Sequence, residues 1–159
     1  MNDIITLINN NSWDKVYELI KRNKINLQDK LHNNNNILHL ACINNKKKII
    51  KLLINKDPNL LYTSNNDGNT CAHLLASYGY GELLQSILQF NPALIDLQND
   101  KGETILNLMK DDEKFTRWFI KNNKKIDKNE KSINVNILLL HSILKSDNKD
   151  KYTKIKEIN

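Results

Sequence analysis

Three phrases of this chain recur at equal intervals. Asn36-Ile37-Leu38-His39-Leu40-Ala41-Cys42, then Asp67-Gly68-Asn69-Thr70-Cys71-Ala72-His73-Leu74-Leu75-Ala76, then Gly102-Glu103-Thr104-Ile105-Leu106-Asn107-Leu108 place positions 39, 73 and 107 at a spacing of 34 residues. Self-similarity at one period between about 20 and 50 residues marks a solenoid, because a single unit cannot bury its own apolar face and must stack on its neighbours. The repeat therefore predicts units in series rather than a closed globule.

Within a period the residues suit two helices. Gly68 and Gly102 stand where a turn needs positive φ, which a residue without Cβ adopts at little cost. Thr70 and Thr104 follow as N-caps, with hydroxyls able to accept a backbone N–H of the first turn. After His73 the stretch Ser77-Tyr78-Gly79-Tyr80-Gly81 breaks the helix. A second begins at Glu82, with Leu83, Leu84, Ile87 and Leu88 on one face. Pro58 and Pro92, again 34 apart, end the second helices because proline donates no N–H. A helix pair per period predicts an all-α fold.

The phrase at 67–76 resembles the ankyrin-repeat family, whose pattern reads D-G-x-T-P-L-H-x-A-A. Asp67, Gly68, Thr70, His73 and Ala76 match it, and Cys71 replaces the family proline. The resemblance implies an ankyrin-repeat solenoid, here of about four to five helix-turn-helix units with irregular terminal caps. It also implies that His39 and His73 bond to nearby backbone and tie adjacent loops together. Gly68, Thr70, Gly102 and Thr104 are structural residues on the same reading.

Taken in order, the chain reads as one domain over 1–159. Residues 1–30 form an N-terminal capping unit, with helices near Asp3–Asn9 and Ser12–Arg22. In the second of these Ser12 is the cap and Trp13, Val16, Leu19 and Ile20 point inward. Residues 31–64 and 65–98 are repeats, 99–125 a divergent one and 126–159 a C-terminal capping segment. Ile25–Asp29 pairs with Ile95–Asn99 as the extended entry to a hairpin, which leaves two extra residues before His39 and predicts a slightly enlarged loop around Asn33–Asn36. Asparagine tolerates the left-handed conformation, so that turn survives without glycine. The fourth unit, where Asn107 replaces histidine, is expected to have a shortened or tilted helix pair. Val135–Leu144 and the piece holding Tyr152, Ile155 and Ile158 are expected as helices of the C-terminal cap.

Asn, Lys and Ile fill 27, 22 and 20 of the 159 positions, a bias read here as AT-rich codon pressure of the kind found in intracellular parasites, protists and large DNA viruses. Cys42 and Cys71 occupy small apolar repeat positions and show no metal-ligand spacing, so free buried thiols in a reducing compartment are expected. No secretory leader and no run of about 18 apolar residues is visible. A cytoplasmic protein is expected, in the host cytoplasm if the chain is viral or an effector.

No nucleophile elbow, zinc-protease helix, phosphate loop or dinucleotide fingerprint is present, so no catalytic residue, cofactor or metal is assigned. Gly79-Tyr80-Gly81 reads as a tight turn, and Asp111-Asp112-Glu113 as a solvated helix start. The net charge of +6 permits an acidic partner. Lysine clusters at 46–51 and 121–131 define an alternative reading as a basic nucleic-acid-associated protein. Only two arginines occur, however, and the lysines fall on helix backs and in a connection, so a solvated surface is favoured.

The remaining candidate is the groove that the resemblance implies, formed by hairpin tips and first-helix ends and used to bind an unidentified protein partner, with the chain a monomer. Its tip residues are Asn33 and Asn35, then Asn66, Asp67 and Asn69, then Lys101 and Glu103. Its helix-end residues are Ile43 and Asn44, then Ser77 and Tyr78, then Asp111 and Asp112. Tyr78 with Tyr80 is the anchor candidate, since aromatic side chains dominate interface hot spots; packing of Tyr80 on Trp118 is the competing structural reading.

Overall fold

The computed structural model describes residues 2–122. Among these, eight α-helices and no strand occur: α1 (Asn2–Asn9), α2 (Trp13–Lys21), α3 (Ile37–Ile43), α4 (Lys47–Lys56), α5 (Cys71–Ser77), α6 (Gly81–Phe90), α7 (Ile105–Leu108) and α8 (Glu113–Asn122). The helices expected within 126–159 lie outside the described residues. The chain divides into two compact units, Met1–Met109 and Lys110–Asn159, so the divergent repeat expected at 99–125 straddles their boundary.

In the first unit the period is met from α2 to α7. The first helices α3, α5 and α7 begin at Ile37, Cys71 and Ile105, and the second helices α2, α4 and α6 at Trp13, Lys47 and Gly81, each 34 residues after the last. α3 packs on its own second helix α4 and on α5, α5 packs on α6 and on α7, and α1 packs on α2. Between them Val16, Leu38, Ala41, Cys42, Leu53, Leu60, Leu61, Leu75, Leu84 and Leu94 are fully buried. Pro58 and Pro92 do end the second helices, and each also starts a short 3₁₀ turn, Pro58–Tyr62 and Pro92–Asp96. Those turns drive Leu60 and Leu94 into the core.

The link inside each helix pair is one motif used three times. Asn45 N–H donates to Cys42 C=O (3.0 Å) and Lys46 N–H to Ala41 C=O (2.9 Å). Gly79 and Tyr80 donate in the same way to Ala76 and Leu75, and Asn11 and Ser12 to Ile8 and Leu7. This is the Schellman ending, which needs a left-handed residue after the helix. Asn11, Asn45 and Gly79 supply it with φ of 53°, 52° and 71°. Ser12 stands at the N-cap of α2 but makes no side-chain capping bond, because the preceding ending already fixes the chain there through its backbone.

Two expectations about register are corrected. Leu31, Asn65 and Asn99 are the equivalent turn residues, since their N–H groups donate to the carbonyls of Asn35, Asn69 and Glu103. Asn99 therefore matches Leu31 rather than Asp29, and the loop before His39 is not enlarged. Pairing Ile25–Asp29 with Ile95–Asn99 slides the chain by two residues; it followed apolar letters, whereas the backbone bonds set the register. Leu19, expected inward, is half-buried.

Cys42 and Cys71 are free and buried. Burial, with Cys71 beside it, pushes the Cys42 thiol well above its ordinary range. In the second unit Asp112 caps α8, its carboxylate accepting from Phe115 N–H at 2.9 Å. Phe115 and Phe119 are buried and stack at 6.3 Å.

Candidate functional site

Each hairpin tip is built by a chain of bonds that repeats. Asn65 Oδ1 accepts from the N–H groups of Asp67 and Asn69, and Asn99 Oδ1 from those of Lys101 and Glu103, closing the two turns from inside. The same two side chains then reach backward. Asn65 Nδ2 donates to Asn35 Oδ1 at 3.2 Å, and Asn99 Nδ2 to Asn69 Oδ1 at 3.0 Å. Backbone bonds run alongside, from Asn66 N–H to Asn33 C=O and from Asp100 N–H to Asp67 C=O, both 3.1 Å. The turns are thus joined to each other directly as well as through their helices.

Glycine is required at one tip for two reasons. Gly68 has φ of +71°, and a Cβ placed on it would lie 2.5 Å from Asp100 N and 2.3 Å from Asp100 Oδ1. Gly102 shares the φ at +72°, but a Cβ there meets nothing within 4 Å. At the first tip, asparagines replace glycine, Asn33 and Asn34 taking φ of 56° and 57°.

Two buried histidines fasten their helices to the connections that lead toward the next unit. Asn36 N–H donates to His39 Nδ1 (3.1 Å), which places the ring hydrogen on Nε2, and Nε2 donates to Thr63 C=O at 3.1 Å. Asn36 Oδ1 returns the bond by accepting from His39 N–H, so ring and cap hold each other. His73 repeats the arrangement. Its Nδ1 accepts from Thr70 N–H, and its Nε2 donates to Leu97 C=O (3.1 Å) and Glu103 C=O (3.2 Å). The Thr70 hydroxyl donates to the same ring nitrogen at 2.8 Å, so its closest bond is to the imidazole rather than to the first-turn N–H expected of a cap. Thr104 does accept a backbone bond, from Asn107 N–H at 3.4 Å. Burial depresses the His39 pKa to about 4, and burial also lowers that of His73. Both are neutral fastenings near pH 7, and an acid–base role suits neither, since each ring nitrogen is already bonded.

The predicted partner-binding residues divide by what their side chains do. Asn35 is 6 % exposed and Asn69 is half-buried, with both carboxamide oxygens accepting in the ladder. Glu103 accepts from Asn99 Nδ2 at 2.9 Å, and Asp112 caps α8. The turns draw the side chains of the tip residues Asn35, Asn69 and Glu103 into bonds within and between the tips, and the helix-end residue Asp112 is engaged by its own helix. Asn33 Nδ2 donates to Asp67 Oδ2 at 3.0 Å, bracing an otherwise exposed Asp67. Asn66, Lys101, Asn44 and Ser77 are exposed, and Ile43 is half-buried. Asp111 is exposed within the second unit.

Tyr78 is 51 % exposed and lies nearly parallel to Tyr80, centroids 6.1 Å apart and planes 13° apart. Tyr80 is half-buried, and its hydroxyl donates to Ile43 C=O at 3.4 Å. An exposed ring is thereby backed by a second ring fastened to the preceding unit.

Sequence reading missed Asn65 and Asn99. Their 34-residue spacing, in step with that of Asn35 and Asn69, was the available signal, hidden in a composition where asparagine is common. The lysines of the 46–51 cluster are partly engaged. Lys46 Nζ donates to Asn11 Oδ1 and lies 5.4 Å above the Trp13 ring, and Lys47 lies 3.9 Å from Glu82. Of the 121–131 cluster, all but Lys121 lies outside the described residues. Among the described residues, no helix is long and apolar enough to cross a membrane.

Stacked helix pairs whose tips are bonded turn to turn, with buried histidines fastening the helices to the connections that follow, define a helical repeat protein. The chain belongs to the ankyrin-repeat family: the family model described as ankyrin repeats (3 copies) matches residues 4–91, more than half of its length. Over 54 residues, 34% of the chain, it is also 33% identical to the leucine-rich repeat serine/threonine-protein kinase 1 of Caenorhabditis elegans. The chain spans only 2% of that protein's length. Ankyrin repeats are generally protein–protein interaction modules.

Proposed function

We propose that this protein binds a partner protein along its hairpin tips and first-helix ends, with Tyr78 as the anchor and Ser77, Asn44, Asn66, Asp67 and Lys101 around it. The observation that carries this reading is the half-exposed Tyr78 ring, held in place by Tyr80. An aromatic already fixed in position loses little entropy when a partner covers it, which favours it as a hot spot. Asp67 and Lys101 add charges of opposite sign on neighbouring tips, suited to orienting a polar partner. We take 31–64 and 65–98 as the full repeats that present this surface. The narrower form of the proposal is a non-catalytic monomer acting in the cytoplasm on a host signalling protein, for which the AT-rich composition is the support.

The test is affinity capture with tagged protein, followed by mass spectrometry and by binding assays on whatever is recovered. Tyr78→Ala combined with Asp67→Ala is expected to abolish capture while leaving the thermal midpoint nearly unchanged, since Tyr78 is half-exposed and Asp67 exposed. Undiminished capture by the double variant would overturn the assignment of this surface.

A further inference from the structure

We infer that the face between the second helices α4 and α6, away from the hairpin tips, is a docking groove for an amphipathic helix of a partner protein with acidic residues along one flank. The groove encloses roughly 410 Å³. Ile50, Ile54, Leu83, Ile87 and Phe90 make it apolar. The volume falls within the range of about 300–1,000 Å³ typical of sites that enclose a ligand.

Phe90 is 62 % exposed, more than Tyr62 or Tyr78, the other exposed large apolar side chains among the described residues. It ends α6, on the lip of the recess. The α4 wall carries Lys47 and Lys51, one helical turn apart and both exposed, while Ser86 on α6 is neutral. Lys47 is held only loosely, 3.9 Å from a Glu82 side chain that is 94% exposed, so a partner's carboxylate can replace that contact at little cost.

An apolar floor with a cationic wall on one side sets the chemistry of the occupant. Apolar side chains at i, i+3 and i+4 of a helix fill such a groove, and carboxylates one turn apart beside them meet Lys47 and Lys51. A second copy of this chain is a poorer occupant, since its net charge of +6 repels the basic wall. A membrane surface calls for a protruding amphipathic face, whereas here a recess lies behind a single exposed aromatic.

The test uses the whole protein with labelled methyl groups and two cross-linked helical peptides of about 15 residues, a length at which an unconstrained helix is marginal. Both carry leucines at i, i+3 and i+7; one has glutamates beside them and the other lysines. The acidic peptide is expected to shift the methyls of Ile50, Ile54, Leu83 and Ile87 saturably, and the basic peptide to leave them unmoved. Phe90→Ala, a change at an exposed side chain, is expected to weaken binding about tenfold or more, and Lys47→Glu with Lys51→Glu to transfer the preference to the basic peptide.

Equal binding of both peptides, binding of neither, or shifts confined to residues near Tyr78 would overturn the inference. So would self-association removed by Phe90→Ala, which assigns the groove to a second copy, or Phe90-dependent binding to anionic vesicles, which assigns it to a membrane. The methyls of the groove and the ring of Tyr78 report separately, so failure here leaves the hairpin surface to be judged on its own test.

Discussion

At the scale of single residues, the same backbone angle has different consequences at Gly68 and Gly102. Both turns need positive φ, but only at Gly68 does the next tip, at Asp100, fill the space a Cβ would enter. Gly102→Ala is expected to cost about 1 kcal/mol for the conformation alone, and Gly68→Ala about 2 kcal/mol or more, read by urea denaturation. Equal losses would show that the two tips do not crowd each other. The histidines give a second residue-scale expectation. His39 titrates near 6.5 in the unfolded chain and near 4 in the folded protein, so between those values the unfolded state binds more protons. Its contribution is complete above pH 6.5 and is lost as the pH falls through about 4, amounting to about 3 kcal/mol. His73 acts in the same direction. Unfolding free energies measured from pH 7 to pH 4 should decline accordingly, and His39→Asn should flatten part of that decline while lowering stability at neutral pH.

At the scale of the helix pair, the Schellman ending explains why asparagine serves where glycine is the usual choice. Asn45 occupies the left-handed position that Gly79 fills one unit later, and its side chain makes that conformation harder to hold. Asn45→Gly is expected to raise stability by up to about 1 kcal/mol and Asn45→Val to lower it by at least as much, by thermal unfolding. Much of this level was legible in the sequence. The 34-residue spacing located the helix pairs, the Gly79 turn and the histidine positions, and the shortness of α7, only four residues, followed from the loss of the pattern after Leu108. What stayed hidden was the division of labour among the asparagines. Asn45 bends a turn, Asn36 caps a helix, Asn65 closes a loop, and Asn35 accepts the bond from Asn65, yet all four carry the same letter. The side chains of Asn35, Asn69 and Glu103 are engaged in the turns for that reason: a tip position states where the backbone goes, while the side chain follows the nearest unsatisfied hydrogen bond.

Across the whole molecule, the charge of +6 is spread over lysines with differing tasks. Lys46 rests on Trp13 and bonds Asn11, Lys56 bonds Asn23 at 2.6 Å, and Lys47 and Lys51 border the α4–α6 groove. A phosphate backbone would have to draw Lys46 and Lys56 from their present neighbours. Binding to random duplex DNA at physiological salt is accordingly expected to be weaker than about 10⁻⁴ M by fluorescence anisotropy, below the usual non-specific range. A micromolar affinity that fell steeply with added salt would instead support the nucleic-acid reading. The three helix-pair links at Asn11, Asn45 and Gly79 carry a last implication, one of heredity. Glycine is encoded by triplets beginning GG and asparagine by triplets beginning AA, so a lineage losing G and C erodes the first and accumulates the second. Because an amide side chain can still bend the backbone leftward, such drift can rewrite these corners without unmaking the stack.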